Sequence, residues 1–242
     1  SDVYKRQTKQ EQKGLPQGTN YLRDVFDDIV DLVRSDGDFR RFVLVRSLLL
    51  ASALSPTFLV TMANQQSVAE ESSLASAIFT GLGTFVIAAG VASLLAGKVS
   101  GWLSDVSSRN TLSGAALLAT VVLIVTVVLG YASSLSDAHA WTTVLVWWLP
   151  LAFFIISLAH AAIRVARSTY IVDMAEGTQR TRYVSVANTL MGVLLLLVGA
   201  LTSVLAMASP EVALAALALF GLLGAVLSKT LPEVSVGKKK VS

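Results

Sequence analysis

The chain has 242 residues; 54% are hydrophobic, only 14% are charged, and the formal net charge is +3. Soluble globular chains carry about 25% charged residues, so the composition argues against a single large soluble domain. Cysteine is absent, which removes thiolate metal sites, disulfides and cysteine nucleophiles, and the basic residues sit at the ends of apolar stretches instead of on an aromatic-interleaved surface, which sets nucleic acid aside.

Residues 1–7 form the first segment, and Asp2-Val-Tyr-Lys-Arg-Gln7 looks like an in-frame translation of a transposon adapter used in sequencing libraries. Such a scar is excluded from fold reasoning. Residues 8–41 read as a cytoplasmic linker. Within it, Leu22, Val25, Phe26, Ile29, Val30 and Val33 recur at helical spacing over 21–34, with Asp24, Asp27, Asp28 and Asp31 on much of the other face. The segment is too short and too charged to cross a bilayer. Its acidic face suits a solvated helix packed on the protein better than one docked on anionic lipid. Asp36-Gly37-Asp38 is expected to end it.

A bilayer core of ~30 Å needs about 20 mostly apolar residues per helix, and residues 42–231 hold six such stretches. They are placed at Phe42–Met62, Leu74–Ala96, Thr111–Ala132, Trp141–Ile163, Tyr183–Met207 and Val212–Leu227. None shows the alternation of barrel strands, so helices are expected. The remaining segment, 232–242, reads as a cytoplasmic tail.

The links between spans alternate in charge. Lys98 and Arg109 flank the second, Arg164, Arg167, Arg180 and Arg182 the fourth, and Lys229 and Lys238–Lys240 follow the last. The first (Ala63–Ser73), third (Ser133–Ala140) and fifth (Ala208–Glu211) contain no Lys or Arg. With six spans all nineteen basic residues fall on one side, the cytoplasm by the positive-inside rule. Both ends of the chain are then cytoplasmic.

Inside the spans, polarity is uneven. Ser52 and Ser55 share a face of the first, ahead of Pro56, which should kink it. The second carries Gly83, Gly90 and Gly97 at intervals of seven, then Gly101, a stripe suited to close helix packing. Ser157, His160, Arg164 and Arg167 line one face of the fourth, and Ser185, Asn188 and Gly192 one face of the fifth. The third and sixth are almost entirely Ala, Val and Leu, as lipid-facing helices would be. No predicted span contains Asp or Glu.

Between spans two and three lies a charged hinge, Gly97–Arg109, in which Gly101, Leu103, Asp105 and Arg109 occupy relative positions 1, 3, 5 and 9. This resembles the G-x-L-x-D-x-x-G-R loop of the major facilitator superfamily, with Val106, Ser108 and Asn110 departing from it. Tyr170-Ile-Val-Asp173-Met-Ala and Arg180-Thr-Arg182-Tyr-Val-Ser-Val-Ala-Asn188-Thr-Leu-Met-Gly192 resemble the stretch between spans ten and eleven of bacterial members. The resemblance covers residues 20–231. It implies an all-α membrane protein: a major-facilitator half bundle of six transmembrane helices, numbered seven to twelve, from a twelve-helix secondary transporter.

The absent N-terminal six-helix half would then be the partner, the substrate a small molecule held between the halves, and the mechanism alternating access in a bacterial inner membrane. Spans one and four would line the pathway, and the third and sixth would face lipid. Gly97, Gly101, Asp105 and Arg109 would form the gating loop, Asp105 latching to basic residues of the other half; alternatively Asp105 and Arg109 only cap helices. Ser52, Ser55, Ser157, His160 and Asn188 are candidate pathway residues. His160 either takes part in proton or substrate handling or sits at a hydrated helix end, and Asn188 either lines the pathway or ties two helices together. Arg164 and Arg167 either contact an anionic substrate or snorkel to the interface. Proton coupling would draw its acid from the other half. No cofactor, metal site or catalytic residue is expected. A serine protease in the membrane would need a Gly-x-Ser and a matched histidine, and a metalloprotease a His-Glu-x-x-His, neither of which is present. The competing readings are a six-span permease subunit of an ATP-driven transporter and a non-transporting membrane scaffold.

Overall fold

The computed structural model describes residues 21–69, 81–135, 139–174 and 179–234. All regular structure among them is α-helical, in eight helices: α1 Tyr21–Ser35, α2 Gly37–Ser52, α3 Ser55–Ala69, α4 Leu82–Val106, α5 Ser108–Leu135, α6 His139–Met174, α7 Gln179–Ala206 and α8 Pro210–Ser228. The chain divides into two compact units, Ser1–Arg40 and Arg41–Ser242. The adapter-like residues 1–7 and the tail residues 235–242 lie outside the described residues.

In the first unit α1 is the amphipathic helix expected at 21–34, with Asp27 and Asp31 exposed. α1 ends at Ser35, as Asp36-Gly37-Asp38 leads one to expect, and Asp36 turns the chain straight into the next helix. Its Oδ1 accepts hydrogen bonds from the backbone N–H of Asp38 (2.9 Å) and Phe39 (3.0 Å), which makes it the N-cap of α2. The first span therefore starts at Gly37 instead of Phe42.

Among the described residues six segments are long and apolar enough to cross a membrane, Gly37–Gln65, Leu82–Leu103, Ser108–Ser134, Trp141–Met174, Arg180–Ala206 and Pro210–Ser228. The first consists of α2 and α3, separated by a turn at Ala53–Leu54. Pro56 causes the break: it has no N–H for the Ser52 carbonyl, and its ring displaces that carbonyl. The chain passes through on tighter bonds, Ala53 N–H to Leu50 O and Thr57 N–H to Leu54 O. The sixth span begins with Ser209 as N-cap, its Oγ accepting from Val212 N–H, and Pro210 in the first turn.

The helices of the second unit pack in pairs: α5 and α4 each against α6, α8 against α5, α3 and α7, and α3 against α6. Residues of α2 reach α7 through Arg46–Asn188. The α5–α8 and α3–α6 pairs each join spans three apart, whereas α4 packs along α6 and, among the described residues, span one meets α7 only at single side chains. The core of the bundle holds Leu59, Met62, Leu123, Leu145, Leu149, Ile156, Leu214 and Leu217, all fully buried.

The polarity ranking misorders burial within this bundle. Of the most apolar stretch in the third and sixth spans, 44% is buried, the largest share of the six, against 17% in the second and 11% in the fifth. The sixth span comes close to its neighbours through glycines. A Cβ at Gly221 would lie 2.6 Å from Thr120 Oγ1, and one at Gly224 2.7 Å from Leu49 Cδ2. The stripe of Gly83, Gly90, Gly97 and Gly101 meets nothing within 4 Å and packs on no described helix. Polar groups also tie spans together: Trp148 Nε1 donates to Thr126 Oγ1 (2.8 Å) and Ser113 Oγ to the Ala225 carbonyl (3.1 Å), small hydroxyls serving where lipid offers no hydrophobic drive.

Candidate functional site

Two groups of polar residues stand at the end of the bundle where the basic residues gather. The first surrounds the predicted hinge. Helix α4 runs without interruption through Gly97, Gly101 and Asp105 to Val106, so the thirteen-residue hinge at Gly97–Arg109 contracts to one residue, Ser107. No proline interrupts the stretch, and a helical glycine costs only about 1 kcal/mol, which a helix of 25 residues absorbs. Ser107 is extended, at φ −163° and ψ 108°. Its N–H donates to Leu103 O while its own Oγ accepts from Asn110 N–H (3.2 Å), so it ends α4 and caps α5 in one step. Of Asp105 the structure describes the backbone only.

Arg109 lies at the start of α5 and bonds within this chain. Its Nε stands 3.3 Å from Glu233 Oε2 and its Nη1 donates to the Leu231 carbonyl (3.3 Å). Ser107 Oγ donates to the same Glu233 oxygen (2.8 Å), and the Tyr170 hydroxyl donates to the Pro232 carbonyl (2.9 Å). Leu231 is buried. The segment after α8 is thereby docked across the α4–α5 corner and the end of α6. Its first residues belong to the fold and not to a free tail. Glu233 and Tyr170 were not predicted as site residues; the only signal was an acid two residues beyond a buried Leu.

The second group follows the antiparallel run of α2 and α6. Phe42 stacks on Tyr170, with ring centroids 5.3 Å apart. About one turn deeper Arg46 comes within electrostatic reach of Arg167. About two turns further in, the His160 ring lies against the Ser52 backbone, beside the carbonyl that Pro56 leaves without its helical donor. Both His160 nitrogens are closed off from solvent without completing a hydrogen bond. Ser52 and Ser55 are buried; Ser52 Oγ donates to Leu49 O (2.8 Å), whereas Ser55 Oγ has no partner among the described residues. Ser157 is half-buried and Arg164 exposed. Asn188 is exposed on α7 and its Oδ1 accepts from Arg46 Nη2 (2.6 Å).

The structure thus brings His160, Arg164, Arg167 and Asn188 to one region and adds Arg46, which was not predicted. The signal was available: Arg46 is the sole Lys or Arg inside any of the six predicted spans. Gly97, Gly101 and Arg109 lie in the separate α4–α5 region. No group of His, Asp and Glu among the described residues is arranged to hold a metal ion.

No protein-family model, curated protein or solved structure matches this chain.

Proposed function

We propose that the chain is the C-terminal half of a major-facilitator-type secondary transporter, moving small molecules by alternating access in a bacterial inner membrane with both ends of the chain cytoplasmic. The observation that carries this reading is the confinement of every Lys and Arg to one side of a six-span topology. Supporting it is the degenerate Gly-x-Leu-x-Asp motif at the α4–α5 corner. On this reading Arg109 braces the chain's own C-terminal segment, and Asp105 remains the residue offered to the absent half.

The test has two parts. The reading frame upstream of Thr8 should encode six further spans, and the protein expressed from that longer frame should catalyse solute counterflow in proteoliposomes without ATP. A start codon directly before Thr8, or flux that requires an ATPase subunit, would overturn the proposal.

A further inference from the structure

Arg46, Arg167 and Arg164 form a chain of like charges. Arg46 lies within electrostatic reach of Arg167, and Arg167 within reach of Arg164. Arg46 and Arg167 are both half-buried. Among the described residues none of the three makes an ion pair with a carboxylate. The one hydrogen-bond partner of Arg46 among the described residues is the neutral amide of Asn188, and its Nε is shut off from solvent and donates to none of them. Like charges at the edge of a low-dielectric bundle repel one another, and a guanidinium is rarely held there without a counter-charge.

The arrangement has the parts of an anion receptor. Asn188 holds one edge of the Arg46 guanidinium from α7. Arg167 and Arg164, three residues apart on α6, present charge from the facing helix. Planar guanidinium forks match the oxygens of carboxylate and phosphate.

We propose that Arg46, Arg167 and Arg164, with Asn188 as the positioning residue, bind an anionic group, a carboxylate or phosphate, at the basic end of the bundle. The group belongs either to a soluble solute or to a lipid headgroup. Only its description as cargo rests on the transporter reading; the binding itself does not.

The test uses the full reading frame, purified into nanodiscs. In zwitterionic lipid, inorganic phosphate and citrate serve as soluble probes, at constant ionic strength, with the melting temperature as readout. A second arm omits both and adds phosphatidylglycerol to the disc. A saturable rise with a soluble probe identifies a solute anion; a rise with phosphatidylglycerol alone identifies a headgroup. In either case Arg46→Gln and Arg167→Gln should weaken the apparent affinity about ten- to a hundredfold, the loss of one charge-assisted contact. Both variants should melt no lower than wild type when no anion is present, because each removes repulsion. That second readout separates a binding role from a structural one. A probe effect that survives in Arg46→Gln/Arg167→Gln overturns the proposal, as does the lack of any probe effect. So does a lower anion-free melting temperature in the single variants, since it would mean that a carboxylate outside the described residues already pairs with the cluster. Anion binding without flux would leave the site standing and remove the transporter reading, whereas flux without anion binding would do the reverse.

Discussion

Glu233 receives two donors at one carboxylate oxygen, Ser107 Oγ and Arg109 Nε, and both partners of the ion pair retain some exposure, 31% for Arg109 and 18% for Glu233. Solvent screening keeps such a pair modest, so Glu233→Gln should cost about 1 kcal/mol. The loss should be local. Hydrogen exchange should quicken at 229–234 and at the α4–α5 corner, with α8 unchanged, and in a double-mutant cycle with Arg109→Gln the two effects should be less than additive. Equal acceleration throughout the bundle would contradict a local brace. The residues single out Arg109 as part of the loop or as a helix cap but do not reveal Glu233, which stands 124 positions away on a segment that reads as tail. Arg46 is the opposite case. Its place inside an apolar span was plain from the residues, whereas its closeness to Arg167 and Asn188 depends on how three helices meet.

At the level of the helix, local chemistry was legible and lateral packing was not. Pro56 announced the break in the first span because a missing N–H acts within one turn, and Ser209-Pro210 marks the start of α8 for the same kind of reason. The hinge misled, since glycine and charge suggest a turn while the structure carries α4 through both Gly97 and Gly101. Burial misled further. An Ala-Val-Leu helix suits lipid and suits a helix interface equally, because both surroundings are apolar. The glycines discriminate between them. Gly221→Ala places a methyl 2.6 Å from Thr120 Oγ1 and 3.5 Å from Ser52 Cβ, and overpacking of this kind costs about 1–3 kcal/mol. Gly90→Ala meets nothing within 4 Å and should stabilise the helix by roughly 0.5–1 kcal/mol through backbone entropy. Thermal unfolding of the two variants should therefore move in opposite directions. A fall for Gly90→Ala would mean that the stripe on α4 is covered in the assembled protein.

Across the whole molecule, the six-span count and the charge separation constrain each other. Nineteen basic residues fall on one side only if each of the six spans crosses once; one span added or lost would split them between both sides. Among the described residues the structure supplies six helical segments of sufficient length and apolarity, and the short Ser209-led corner between α7 and α8 fits an abrupt reversal. A helix of 36 residues such as α6 extends about 54 Å at 1.5 Å per residue, well beyond a ~30 Å hydrocarbon core. Its far end, with Arg164 and Arg167, is thus expected to stand at the basic face, in line with Arg46. This chain contains no cysteine, so a thiol introduced into it is the only one among its 242 residues and reports the orientation directly. Ser134→Cys, exposed at the end of α5, should react with a membrane-impermeant maleimide in intact cells. Lys229→Cys, exposed just after α8, should react only once the membrane is opened. Reversed accessibility would turn the bundle over and place the arginine cluster on the outer face. Labelling of both in intact cells would mean that a span fails to cross, and with it would go the charge separation on which the transporter reading depends.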